Sequence, residues 1–200
     1  LLTREFTDNE YLMMVTRNGT VKRLQLDEAY TARKAGIRVL NLDEGDELIA
    51  VMKTSGADNI LIATRNGMSI CFSEQDVRCM GRMATGGRGI RLSDDDCVVA
   101  AAVAEPGKCL LTVTERGYGK RTQIEEYLRG DSVQSRGGKG MRGYRLTEKT
   151  GLVAGAAVVS EEDDILLIES GGVVIRMPAS GVSVYRRDTQ GVIMMRVEDG

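Results

Sequence analysis

Apolar positions along this chain fall in short blocks rather than at helical spacing. Four times a block of apolar residues runs into a polar turn that ends in glycine: Tyr11-Leu-Met-Met-Val-Thr-Arg-Asn-Gly19, Ile60-Leu-Ile-Ala-Thr-Arg-Asn-Gly67, Leu110-Leu-Thr-Val-Thr-Glu-Arg-Gly117 and Ile165-Leu-Leu-Ile-Glu-Ser-Gly-Gly172. The terminal glycines lie 48, 50 and 55 residues apart. A second glycine marker recurs at Gly36, Gly89, Gly140 and Gly191, at intervals of 53, 51 and 51. Two markers sharing one period identify a repeat protein in which each unit is one supersecondary element.

Each unit reads as β. The apolar block, the turn and a second run such as Thr20-Val-Lys-Arg-Leu24 or Met68-Ser-Ile-Cys-Phe72 make a hairpin. Asn18-Gly19 and Asn66-Gly67 predict type I′ turns, which need positive φ at both central positions. One helical turn is expected next (27–32, 73–77 and 123–127). A glycine segment then leads to a further strand such as Gly89-Ile-Arg-Leu92, and an acidic turn such as Asp43-Glu-Gly-Asp-Glu47 precedes the last strand, Leu48-Ile-Ala-Val-Met52. Four strands in about 50 residues is the arithmetic of a propeller blade, so the fold class expected is all-β, a propeller-like repeat of four-stranded blades. The blades are expected at 10–58, 59–107, 108–163 and 164–200. Residues 1–9 read as the tail strand of a preceding blade, and the fourth unit stops at its acidic turn, so the chain reads as a segment of a longer protein.

Composition narrows the chemistry. There are 200 residues, 24 of them Gly and 2 Pro, with no His and no Trp. Without histidine there is no imidazole acid or base and no Ser-His or Cys-His nucleophile. Cys71, Cys79, Cys97 and Cys109 contain no CxxC pair, so scattered thiols are expected rather than a zinc site, and no metal is assigned. The longest uncharged apolar run, Cys97 to Ala104, has eight residues, far short of the roughly 20 a membrane helix needs. The acidic run Asp94-Asp95-Asp96 recurs as a turn in other units and reads as solvated turn residues.

A net charge of −2 hides a separation of sign. Acidic residues crowd the turn before the last strand. Basic residues crowd the positions just after the hairpin turn and the region of the second glycine. If every blade presents the same positions at the same edge, the basic clusters join into a stripe along the rim, able to track a phosphate backbone through counterion release. The densest cluster is Gln134-Ser-Arg-Gly-Gly-Lys-Gly140. Its bare glycine backbone and two cations suit a phosphate-contacting loop. It is not a nucleotide-binding P-loop, and Gly138, Gly140 and Gly143 satisfy GxGxxG only by accident, because a strand rather than a helix follows.

With these residues in hand the sequence resembles the C-terminal domain of bacterial gyrase A, one of the two proteins that make up DNA gyrase. The segment Gln134 to Gly140 is similar to that family's seven-residue gyrase box, with Ser135 standing where the box has a basic residue. Further similarity runs through Asn18-Gly-Thr-Val-Lys22, Gly45-Asp-Glu-Leu-Ile49, Thr85-Gly-Gly-Arg-Gly-Ile-Arg-Leu92, Gly117-Tyr-Gly-Lys-Arg-Thr122 and Asp188-Thr-Gln-Gly191. The resemblance implies a β-pinwheel with strands exchanged between neighbouring blades. The family's box belongs to the first blade, so this third-unit copy implies a segment that starts about two blades into a six-blade domain.

The resemblance also implies a non-catalytic domain that binds and bends double-stranded DNA without sequence preference. The parent is then an ATP-dependent type II topoisomerase that introduces negative supercoils. Its partners would be the rest of gyrase A and the ATP-binding gyrase B protein in a heterotetramer. ATP and magnesium would lie on other domains, with no cofactor in this segment. The setting would be a bacterial cytoplasm at the nucleoid, with no membrane. The corresponding domain of topoisomerase IV is the related alternative, and a protein-interaction propeller is the alternative of another class. The candidate DNA contacts are Gln134, Arg136, Gly137, Gly138, Lys139, Gly140, Arg142 and Arg145 around the box-like loop, with Arg116, Lys120 and Arg121 at the third turn. Lys22, Arg23, Arg33 and Lys34 join them from the first unit, Arg88 and Arg91 from the second, and Arg186 and Arg187 from the fourth.

Overall fold

The computed structural model describes residues 9–30 and 35–197. Fourteen strands are found among them. The first unit contains β1 (Tyr11–Thr16), β2 (Thr20–Gln25) and β3 (Leu48–Thr54). The second contains β4 (Asn59–Thr64), β5 (Met68–Ser73), β6 (Gly87–Arg88) and β7 (Val98–Val103). The third contains β8 (Cys109–Thr114), β9 (Tyr118–Gln123), β10 (Met141–Arg142) and β11 (Val153–Val159), and the fourth β12 (Asp164–Ile168), β13 (Val174–Pro178) and β14 (Val192–Ile193). A single 3-10 turn follows the second strand of each unit, at Leu26–Ala29, Glu74–Asp76, Ile124–Tyr127 and Ala179–Gly181.

Three sheets have four antiparallel strands, in the orders β3-β1-β2-β6, β7-β4-β5-β10 and β11-β8-β9-β14, and β12 pairs with β13 alone among the described residues. The short outer strand of each four-stranded sheet therefore comes from the following unit. This differs from the expected strand at Gly89–Leu92 within its own blade: the strand is Gly87–Arg88, and it pairs with β2 of the preceding unit. At the opposite edge β3, β7 and β11 lie side by side and join successive sheets.

Because the sheets stack, their central strands are covered on both faces, and such strands read as continuous apolar runs. Met13 and Val15 pack with Ile60, Ile62, Ile70 and Phe72 of the next sheet, whereas their neighbours Leu12 and Met14 pack with Leu24 and Leu26 on the other face. Leu61 and Cys71 turn to the third sheet, against Leu110, Ile124 and Tyr127. Burial pushes the Cys71 thiol up to about 11, which leaves it a protonated core residue.

The hairpin turns differ from the type I′ expectation. No residue other than glycine has positive φ among the described residues, so Asn18 and Asn66 do not supply one. The connection is a three-residue loop, Arg17-Asn18-Gly19, in which the Gly19 N–H donates to Thr16 O at 3.0 Å and Gly19 has φ +82°. This is a type I turn followed by a left-handed glycine. The acidic turn completes it: Asp46 Oδ1 accepts from Asn18 N at 2.9 Å and Glu47 N at 2.8 Å, and Asp96 Oδ1 does the same for Asn66 N and Cys97 N, both at 2.8 Å. These two carboxylates are caps rather than solvated ornaments, and Asp46 is only 9% exposed.

The second glycine marker acquires a physical reason and a corrected register. Gly86, Gly140 and Gly191 share positive φ, and each immediately precedes an exchanged strand. A Cβ at these positions would lie 2.5 Å from Val21 O, 2.3 Å from Ser69 O and 2.4 Å from Gly119 O, on the strand of the preceding unit. The counterpart of Gly140 in the second unit is thus Gly86, not Gly89. Gly140→Ala or Gly191→Ala is expected to destabilise the fold by about 3 kcal/mol or more, combining the left-handed penalty with a backbone clash. Gly107→Ala, with φ +79° but open space around it, should cost only about 1 kcal/mol. Denaturant unfolding of the three variants measures the difference.

Candidate nucleic-acid interface

The exchanged segments line one edge of the molecule and touch one another in succession. In each, two N–H groups donate to the turn glycine of the preceding unit: Gly89 and Ile90 to Gly19 O, Gly143 and Tyr144 to Gly67 O, Met194 and Met195 to Gly117 O. The loop of the following unit then docks beside that segment. Arg91 N donates to Gly138 O at 2.8 Å, and Arg145 N to Thr189 O at 3.1 Å. The result is a continuous rim of alternating loop and strand.

Two positions on this rim carry exposed arginines. Two residues after the marker glycine stand Arg38, Arg88 and Arg142, and five residues after it stand Arg91, Arg145 and Arg196, all exposed. Arg88, Arg91, Arg142 and Arg145 were expected here; Arg38 and Arg196 were not. Counting from Gly36, Gly86, Gly140 and Gly191 rather than from Gly89 brings both into line. Lys139 and Arg186 are exposed on the loops of the same rim. Arg116 is exposed at the third hairpin turn, where Nη1 donates to Glu148 O at 2.7 Å. Arg33 and Lys34 lie outside the described residues.

Four of the cations expected just after the hairpin turn, Lys22, Arg23, Lys120 and Arg121, are inside the protein, whereas Arg176 on β13 is exposed. Lys22 and Lys120 are fully buried because β2 and β9 are central strands, covered by a neighbour on each side. The Lys22 ammonium donates to Val39 O at 2.7 Å and to Arg82 O and Ala84 O at 2.8 Å. Lys120 donates to Arg186 O and Thr189 O at 3.0 Å and to Arg187 O, with its ammonium 4.7 Å from the Tyr144 ring centroid. Burial pushes the Lys120 pKa down to about 8. Arg23 stacks over Tyr11 at 4.7 Å and reaches the buried carboxylate of Glu74 at 3.7 Å. Arg121 is 5% exposed, and its Nε donates to Val182 O at 2.7 Å. These four cations hold loops against sheets and do not face solvent.

The box-like loop is likewise partly committed to the fold. Gln134 is 6% exposed, with its N–H on Cys71 O at 2.8 Å. Arg136 Nε donates to Asp76 O at 3.0 Å and its Nη1 to Arg88 O. Arg187 repeats this one unit later, from Nε to Glu126 O at 3.1 Å and from Nη1 to Arg142 O. Both arginines staple a loop to the preceding unit. The Gly137 N–H donates to Gly89 O at 2.8 Å, Gly138 is exposed, and Gly140 is the clash-forbidden marker. Where Lys22 and Lys120 stand under the other two loops, Ile70 stands under this one, and the Gly138 carbonyl accepts from Arg91 N with no ammonium beneath it, whereas Thr189 O accepts from both Arg145 N and Lys120.

Anionic groups enter the rim at the fourth unit. Asp188 Oδ1 lies 3.4 Å from Arg145 Nε and Oδ2 3.6 Å from Arg142 Nη1. Burial acts to raise this carboxyl, but the hydrogen bond and charge of Arg145, with the charges of Arg142 and Arg187, outweigh it and hold the group below the usual range. Tyr144 OH donates to Gln190 O, and burial pushes the Tyr127 and Tyr144 hydroxyls up, so neither is a phenolate.

A family model described as the DNA gyrase C-terminal domain, beta-propeller, matches residues 10–55, 58–105, 110–160 and 163–200, one segment for each repeat. The chain belongs to the DNA gyrase C-terminal domain family. It is 42% identical over 199 residues to the gyrase A protein of Salmonella typhimurium strain LT2 and 41% identical over 195 residues to that of Escherichia coli strain K12. The match covers 100% and 98% of this chain but only 22% of each relative, so the chain spans about a fifth of their length. A solved gyrase A C-terminal domain superposes with a TM-score of 0.85 at 28% identity, over 98% of this chain and 65% of that one. The C-terminal domain of DNA topoisomerase IV superposes at 0.88 over 97% of this chain and 60% of that one; at 24% identity this likeness speaks for the fold.

The basic residues of this chain are thus divided between buried cations and exposed ones on the rim. Lys120→Met should lower the unfolding free energy by about 2 kcal/mol, because it strands carbonyls that the ammonium satisfies. A shift of the urea midpoint at constant m-value checks it.

Proposed function

We propose that this chain binds double-stranded DNA without sequence preference and bends it along the rim formed by the exchanged segments. The observation that carries this reading is the repetition of exposed arginines two and five residues after the marker glycines, at equivalent positions of successive units. A duplex presents phosphates at regular intervals, and a repeating cationic edge is the complementary surface. Bending costs elastic energy that contacts spread over several units offset, and the cost depends on deformability rather than base identity. No base-reading element is needed.

In the same reading the chain is the DNA-wrapping segment of a gyrase A protein, the non-catalytic part of a type II topoisomerase. The ATP-binding gyrase B protein is its partner in a bacterial cytoplasm, and ATP and magnesium are held elsewhere in that assembly. Identities of 41–42% to gyrase A over nearly the whole chain favour this parent over topoisomerase IV.

The test is the affinity of the 200-residue chain for an arbitrary linear duplex across a salt series. About five or six phosphate contacts give a slope of log K against log[salt] near −5. Two unrelated sequences should bind alike, and end-labelled duplex should shorten as it bends. Absence of binding at low salt, or strong preference for one sequence, overturns the reading.

A further inference from the structure

The loops at residues 134–140 and 185–191 dock in the same way on successive units, and among the five positions at which their sequences differ one sets a carboxylate beside the arginine rim. Three residues before the marker glycine stands Gly137 in the first loop and Asp188 in the second. The contacts that seat the two loops correspond, although Gly137 has a positive φ that Asp188 does not share. Arg136 and Arg187 staple the loops to the carbonyls of Arg88 and Arg142, and the Gly138 and Thr189 carbonyls accept from the amides of Arg91 and Arg145. The two arginine pairs, 88 with 91 and 142 with 145, are therefore the same rung in successive units.

Their electrostatic states are opposite. One carboxylate, Asp188, reaches both guanidinium groups of the 142/145 rung, at 3.6 and 3.4 Å. A second, Glu126, lies 3.6 Å from Arg186 on the adjacent loop. The 88/91 rung forms no ion pair within 4.0 Å among the described residues. Asp43 lines the same groove, but its carboxylate is not paired to either arginine. Gly137, at φ +81°, carries no side chain, so the first loop brings no carboxylate to its rung from the sequence position that Asp188 fills in the second.

We infer that Asp188 is an intramolecular stand-in for a phosphate that weakens the 142/145 rung, leaving the 88/91 rung beside the glycine loop as the stronger anion contact. The inference rests on the duplex-DNA reading and deepens it. A phosphate arriving at the 142/145 rung must displace a carboxylate already paired there or share the rung with it. Either way, less net charge is neutralised and fewer counterions are released than at the open rung. The rim then grips DNA unevenly, more firmly at the box-like loop than one unit later.

The experiment is duplex affinity across a salt series for the 200-residue chain and Asp188→Asn. The variant should bind about threefold to tenfold more tightly at about 0.1 M salt, with a slope steeper by about one. Adding R142Q and R145Q to D188N should abolish the gain. In the otherwise unaltered chain, R88Q/R91Q should weaken binding more than R142Q/R145Q. Unchanged affinity and slope in a folded D188N protein overturns the inference, as do equal losses from the two arginine pairs. Failure of the unaltered chain to bind duplex at low salt overturns the DNA reading instead. The rungs are then compared with inorganic triphosphate by arginine Nε NMR. Arg88 and Arg91 should respond at lower concentration than Arg142 and Arg145, and the reverse order sinks the inference.

Discussion

A carbonyl oxygen at the hairpin turn of each of the first three units accepts two N–H groups from the next unit, and the rest of the architecture depends on that clasp. It forms only if the incoming backbone runs flush against the strand it pairs with. The glycines at 86, 140 and 191 permit this approach, since any Cβ there would meet a strand carbonyl at 2.3–2.5 Å. Once the segment is seated it supplies the outermost strand of the sheet and caps an edge that would otherwise be open to pairing. No unit in the three larger sheets is complete by itself.

The clasp also sorts the positive charge. A strand that gains a neighbour on each side becomes central, and its side chains are enclosed between layers. Lys22, Arg23, Lys120 and Arg121 are enclosed in this way, and their charges are met by loop carbonyls, an aromatic ring or a buried carboxylate rather than by solvent. The exchanged strand lies at the edge, and its arginines remain in water. Position in the sheet, not residue type, decides which cations are available to an anion.

Between the loops on this rim the differences are small and chemical. An ammonium gathers the carbonyls of residues 186, 187 and 189, and another gathers those of 82 and 84. Under the box-like loop Ile70 occupies that place, and the paired glycines 137 and 138 let the backbone close over an apolar side chain. The loop with the most glycine is thereby the one that needs no internal cation.

Much was legible in the sequence alone. Apolar blocks, turn glycines and their shared period announced a four-unit all-β repeat, because blocks and turns are local and recur. The family resemblance carried strand exchange with it. Register was harder: Gly89 and Gly86 lie three residues apart and both pack against Val21, and only the positive φ of Gly86 and its approach to the Val21 carbonyl distinguish the marker. The asparagine–glycine turns were misread for a related reason. Asn18 has the residue type for positive φ, yet Asp46, from 28 residues away, caps a three-residue loop in which only Gly19 needs it. The sequence by itself determined the unit, its period and the cluster of basic residues near each marker. Tertiary structure alone decided which of those cations are buried and which line the rim, because burial is set by a strand that arrives from the following unit.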